Sequence, residues 1–231
     1  MDKIKIFEII NRINSVLFLI LLSGGCLLII LGIVSSNRWQ ERRAVEVVQN
    51  NDNDEKKKIE LILGNIASVP GYDTQYVKLR SRASGGKFAS YSGGGEIRNV
   101  LFFSGEKLST HWLYKKHTFL INEFTTLTKD INEDKRVAIA IYIETIKSDT
   151  NGSNGSDSED LIMISLTDPY GKNYTEIENQ VESVIDINLG NDGKSLILLL
   201  QKNAKVILKK YSLATFDLVS EKVIDEISKK L

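Results

Sequence analysis

Residues Val16–Val34 read VLFLILLSGGCLLIILGIV, nineteen positions without a charge. As a helix rising 1.5 Å per residue, such a run is about 28 Å long, close to the ~30 Å hydrocarbon core of a bilayer. A buried helix of a water-soluble protein rarely reads apolar on every face. A cleavable leader has a shorter apolar core, with small residues at its cut site. Arg12 before the run, and Arg38, Trp39, Arg42 and Arg43 after it, suit the headgroup zones. The stretch predicts one retained transmembrane helix, with Val16 and Val34 at its ends and Trp39 at the interface. Gly25 and Gly32 share a face at heptad spacing, where a second helix can approach closely.

The remainder is organised around that anchor. Residues 1–15 predict an amphipathic lead-in on the cytoplasmic side, and residues 35–70 a short helical stalk. In the stalk, Asn53 or Asp54 caps a helix whose apolar side is Ile59, Leu61, Ile62, Leu63 and Ile66, stopped by Pro70-Gly71. The small residues before Cys26 resemble a lipoprotein acylation site, but Leu27–Val34 stay apolar where a mature lipoprotein turns polar. Three basic residues precede the span and three follow it closely, so charge leaves the orientation tied. A short tail ahead of an uncleaved anchor usually stays inside. Together with a Lys/Asn/Ile-rich composition, this predicts a bacterial inner-membrane protein whose C-terminal part lies in the periplasm or outside the cell.

Beyond the span the chain carries 27 basic and 28 acidic residues. A balanced domain of this kind has no electrostatic case for nucleic acid. Its single cysteine, Cys26, lies in the apolar run, so the domain has neither a disulfide nor a cysteine metal site.

From residue 71 to 231 the pattern is antiparallel β. Val77 and Leu79 lie in a short strand, followed by a Gly/Ser-rich loop from Ser81 to Gly95. Strand-like runs follow over Asn99–Phe103, Leu108–Tyr114, Thr118–Phe124, Arg136–Ile146, Leu161–Leu166, Val184–Leu189, Leu196–Gln201, Lys205–Leu213 and Asp217–Ile224. Asn191-Asp192-Gly193 predicts a hairpin turn. No glycine pattern matches GxxxxGK[ST], which removes a phosphate cradle of that kind.

Two stretches carry resemblances. VIDINLGNDGKSLILLLQKNAKVILKKYSLATFDLVSEKV, residues 184–223, resembles a TolB-like or WD-like β-propeller blade, and NVLFFSGEKLSTHWLYKKHTFLINEF, residues 99–124, a degenerate second one. The length allows at most three to four blades, fewer than most closed propellers need. The resemblance implies an incomplete propeller-like array used for docking or scaffolding. DTNGSNGSDSED, residues 149–160, is similar to an EF-hand or dockerin calcium loop. It implies Ca²⁺ ligands at Asp149, Asn151, Ser153, Asp157 and Asp160, with the turn glycine displaced to Gly155 and Asp160 in place of the usual Glu.

His111 and His117 lie six apart without cysteines or a carboxylate pair, which makes them packing or surface residues rather than zinc ligands. Trp112, Phe102, Phe103 and Phe119 are expected in the core. The reading is therefore a mainly β chain with one N-terminal transmembrane helix and a helical stalk. The expected role is non-enzymatic: an accessory or scaffolding subunit of a larger membrane complex such as a transporter, contacting partners through its β surfaces and Gly85–Gly95. The alternative is an extracytoplasmic ligand- or calcium-binding sensor with a clamp at 149–160.

Overall fold

The computed structural model describes residues 14–18, 61–81, 95–132, 135–152 and 159–226. Residues 14–18 are helical, and Val16 among them is exposed. No helix among the described residues is long and apolar enough to cross a membrane, so the expected transmembrane helix and the inner-membrane placement that rests on it are not supported. Residues 19–34 of that expected span lie outside the described residues. Gly25, Gly32, Val34 and Trp39 lie outside the described residues.

The helical stalk is also corrected. Leu61–Ser68 is a strand, β1, not a helix. Leu61, Ile62, Leu63 and Ile66 fit either period, and pairing with the next strand decides between the two readings. β1 pairs antiparallel with β2 (Thr74–Ser81), Leu63 opposite Leu79 and Ile66 opposite Val77. Pro70 and Gly71, at positive φ, make the tight turn between them.

Ten further strands follow: β3 (Ile97–Ser104), β4 (Ser109–Trp112), β5 (Leu120–Asn132), β6 (Lys135–Ile146), β7 (Ile162–Thr167), β8 (Thr175–Val181), β9 (Ser183–Leu189), β10 (Ser195–Lys202), β11 (Lys205–Ser212) and β12 (Leu218–Glu226). They form three successive four-stranded antiparallel meanders, each built from neighbours in sequence. The first two join edge to edge through the single pair Ile97–Ile121, giving one eight-stranded sheet, and β9–β12 form a second sheet. Among the described residues the sheets do not close into a propeller ring.

The middle meander is covered on both faces. Along β6 the side chains alternate, with Ala140, Tyr142 and Ile146 packing with Leu196, Leu198, Leu200 and Ile207 of the last sheet. Ile141 and Ile143 point the other way and pack with Val100, Phe102 and Phe124. That is why β7, IMISLT, is buried at every position, as a strand with no solvent face must be. Gly171 is required where it stands. It sits at φ +72°, and a Cβ there would lie 2.6 Å from the Phe102 ring. Phe102 and Phe119 enter or pack against this core, Phe103 is half-buried, and Trp112 is 37% exposed, against expectation.

Candidate functional site

The last sheet has two unlike faces, and the register assigns its paired side chains, with Ile185, Val219 and Ile224 left unpaired at bulges of the edge strands. On its inner face Leu196, Leu198 and Leu200 of β10 stand opposite Tyr211, Lys209 and Ile207 of β11. On its outer face Ile197, Leu199 and Gln201 stand opposite Lys210, Leu208 and Val206. Extending the middle row to both edges gives Asp186 on β9, Leu199, Leu208, and Lys222 on β12. This row runs acid, aliphatic, aliphatic, base across four strands. Bulges in the flanking strands leave Ile185, Val219 and Ile224 exposed as well, at 49%, 59% and 47%. Leu208 at the centre is 36% exposed. The β9–β10 connection is the expected hairpin turn, with Gly193 at φ +61°. Asp192 accepts hydrogen bonds from Lys194 N at 2.8 Å and Ser195 Oγ at 2.9 Å. These bonds hold its carboxyl below the usual range.

The inner face is fastened to the middle meander by a buried polar knot. Glu178 of β8 accepts from Lys202 Nζ at 3.0 Å, and from Lys209 Nζ and the Tyr211 hydroxyl. Lys209 also pairs with Glu221 of β12 at 3.0 Å. Burial pushes the Glu178 carboxyl up, but the three donors outweigh it and hold it below its ordinary value. Burial would lower Lys209, yet its two carboxylate partners raise it. Burial and the hydrogen bond to Glu178 together raise the Tyr211 hydroxyl. The knot therefore stays charged at neutral pH and fixes the second sheet, and with it the outer face.

Two of the expected calcium ligands, Asp149 and Asp160, hydrogen-bond within the loop entrance. Asp160 is 1% exposed, and its Oδ1 accepts from Thr150 N at 2.5 Å, Thr150 Oγ1 at 2.9 Å and Asn151 N at 3.1 Å. Asp149 Oδ1 accepts from Gly152 N at 2.6 Å. Both carboxylates thus cap the backbone of the loop entrance, as Asx residues do in turns. Ser153 and Asp157 lie outside the described residues. No group of three or more His, Cys, Asp or Glu among the described residues is arranged to hold a metal ion.

The histidines pack. His111 stacks on Phe102 at 5.3 Å and bonds the Gly171 carbonyl at 3.2 Å. His117 receives the buried Asn99 amide at 2.8 Å, and burial lowers its basicity. Asn99 also donates to the carbonyl of Tyr114 and accepts from Val100 N and Tyr114 N, pinning the chain after β4. Most of the Gly85–Gly95 loop lies outside the described residues. The outer face of β9–β12 escaped the motif reading, although LILLL over 196–200 signalled a strand apolar on both sides.

No family model matches the chain, and no curated protein matches it. Solved structures similar to it include a luciferin-regenerating enzyme, at 10% identity and TM-score 0.35, covering 70% of this chain and 60% of that one. Two 6-phosphogluconolactonase-like proteins are also similar. One, from Bacteroides uniformis, shows 13% identity and TM-score 0.31, covering 71% of this chain and 41% of that one. The other, from Bacteroides fragilis, shows 10% identity and TM-score 0.30, covering 75% and 58%. The chain spans less than two thirds of each. These neighbours are described as an enzyme and as enzyme-like proteins, in contrast to the expectation of a non-enzymatic chain. At these scores the likeness transfers neither fold family nor chemistry.

Proposed function

We propose that the β domain is a protein-interaction module that docks a partner on the outer face of β9–β12. The observation behind this is the exposed aliphatic group Ile185, Leu208, Val219 and Ile224 around half-buried Ile197, Leu199 and Val206. A contiguous apolar surface of this kind marks a binding site more often than scattered exposed residues do. The polar knot at Glu178 supports the reading, since it holds the sheet rigid behind the face and limits the ordering cost of binding.

The test is site-specific photo-cross-linking in cells, with a photoreactive residue at Leu208 and a control at exposed Glu106 on the β3–β4 turn. A discrete adduct, to another protein or to a second copy, is expected at Leu208 alone. Equal labelling at both positions, or none, would refute the docking face.

A further inference from the structure

The occupant of this face can be read from its charges. We propose that it is a second copy of the same chain, bound face to face about a two-fold axis parallel to the strands between β10 and β11. This rests on the docking reading above. In a two-fold interface each contact occurs twice, so the surface must complement itself. The row Asp186–Leu199–Leu208–Lys222 does so for one choice of axis.

With the axis along the strands, β9 of one copy lies over β12 of the other. Each Asp186 then faces a partner Lys222, and Leu199 faces Leu208. With the axis across the strands, like strands meet, Asp186 faces Asp186 and Lys222 faces Lys222, which repels. Lys210, the other cation of the face, is 3.9 Å from Asp192 within its own chain, leaving its stem to cover a partner's Ile197. Two sheets packed this way keep their strands within about 30° of one another, the arrangement natural twist favours.

The outer face of β1–β4 is no competitor. Its Val77 and Leu79 are already buried within the chain, as is Leu61.

Size sets the class of interface. Four strands ~4.8 Å apart and eight residues at ~3.3 Å each make a face of about 500 Å² in projection. Allowing for side-chain relief, two copies bury roughly 1,000–1,400 Å², the lower edge of specific interfaces. Interfaces at this edge include weak, transient ones, and area does not convert to affinity, so the experiment spans a Kd on the order of 10–100 μM.

The experiment is sedimentation velocity on the full chain, over about a hundred-fold concentration range bracketing that Kd. Wild type moves from monomer to dimer, and Leu208→Lys stays monomeric. Asp186→Lys and Lys222→Asp, each alone, weaken association about tenfold or more, because two attractive pairs become repulsive. Mixed in equal amounts, the D186K and K222D chains restore the dimer, since each supplies the charge the other lacks.

A wild type that stays monomeric overturns the second copy as occupant. If cross-linking at Leu208 still yields an adduct to another protein, the docking reading survives that result; without an adduct, both fall. A dimer that L208K abolishes but the charge variants leave untouched overturns the axis and keeps the face. A dimer indifferent to L208K overturns the proposal outright.

Discussion

Replacing Glu178 by glutamine tests the polar knot that fastens the last sheet. The carboxylate of Glu178 accepts from Lys202, Lys209 and Tyr211 at a site only 8% exposed. Removing one partner of a buried ion pair costs about 3–5 kcal/mol when the other charge is stranded. Here the loss is smaller. Lys209 keeps Glu221 at 3.0 Å, Lys202 is exposed enough to reach water, and the amide still accepts one hydrogen bond. About 2–3 kcal/mol is expected. With a urea m-value of about 2–3 kcal/mol per molar, the midpoint falls by roughly 1 M. Unfolding followed by intrinsic fluorescence reads this directly.

The pH profile gives a second readout. Glu178 is held below its ordinary value, so its contribution is present above the unfolded carboxyl range and is lost as pH falls through the lower folded value. Lys209 is raised, so its contribution is full below the ordinary lysine range and disappears as pH climbs through the higher folded value. Glu178→Gln should flatten the acid limb of stability against pH. A midpoint within experimental error of wild type, with an unchanged acid limb, would refute the knot as an anchor.

Four other substitutions have definite outcomes. Asp160→Ala removes the acceptor of two backbone N–H groups and should lower stability by about 1–3 kcal/mol. If backbone capping is what that carboxylate does, excess calcium leaves the wild-type Tm where it was, whereas a rise in Tm would restore the calcium loop. Gly171→Ala, at φ +72° and against Phe102, should cost about 2 kcal/mol or more; Gly105→Ala, at φ +73° with open space around it, should cost only about 1 kcal/mol, and equal losses in thermal melts would contradict the packing argument. Asn99→Ala strands the Val100 and Tyr114 N–H groups, with an expected loss of about 2–3 kcal/mol and faster amide exchange at those two positions.

The β runs were legible where one face is wet or where turn residues bracket an apolar core. β6, β10 and β11 lie within a residue or two of the runs at 136–146, 196–201 and 205–213. β8 was missed because TEIENQV is a polar edge strand, with its burial confined mainly to Glu178 and Val181. β1 was misread because four close-set aliphatics fit a helix face as well as a strand, and only the partner β2 breaks the tie. The outer-face row could not be seen from sequence. Asp186 and Lys222 lie far apart along the chain and align only through three registers, the two outer ones interrupted by bulges. The calcium motif is ambiguous for a related reason. Oxygen-rich spacing is the same whether the carboxylates hold a cation or their own backbone, as Asp160 does.

The middle meander has a consequence for how the chain comes off the ribosome. Each sheet is made of consecutive hairpins, so each can pair as soon as it emerges. Yet β5–β8 has apolar side chains on both sides, and the first meander packs only with the side that carries Ile121, Phe124, Ile141 and Ile143. Until β9–β12 is synthesised, Ala140, Tyr142, Ile164 and Leu166 face water. A nascent chain stalled after Val181, or truncated there, is a single-sheet intermediate with a wet hydrophobic face. Such a species aggregates or recruits a holdase, so the C-terminal sheet acts as the release step of folding, and a premature stop near the end of the chain would be as damaging as one near its middle.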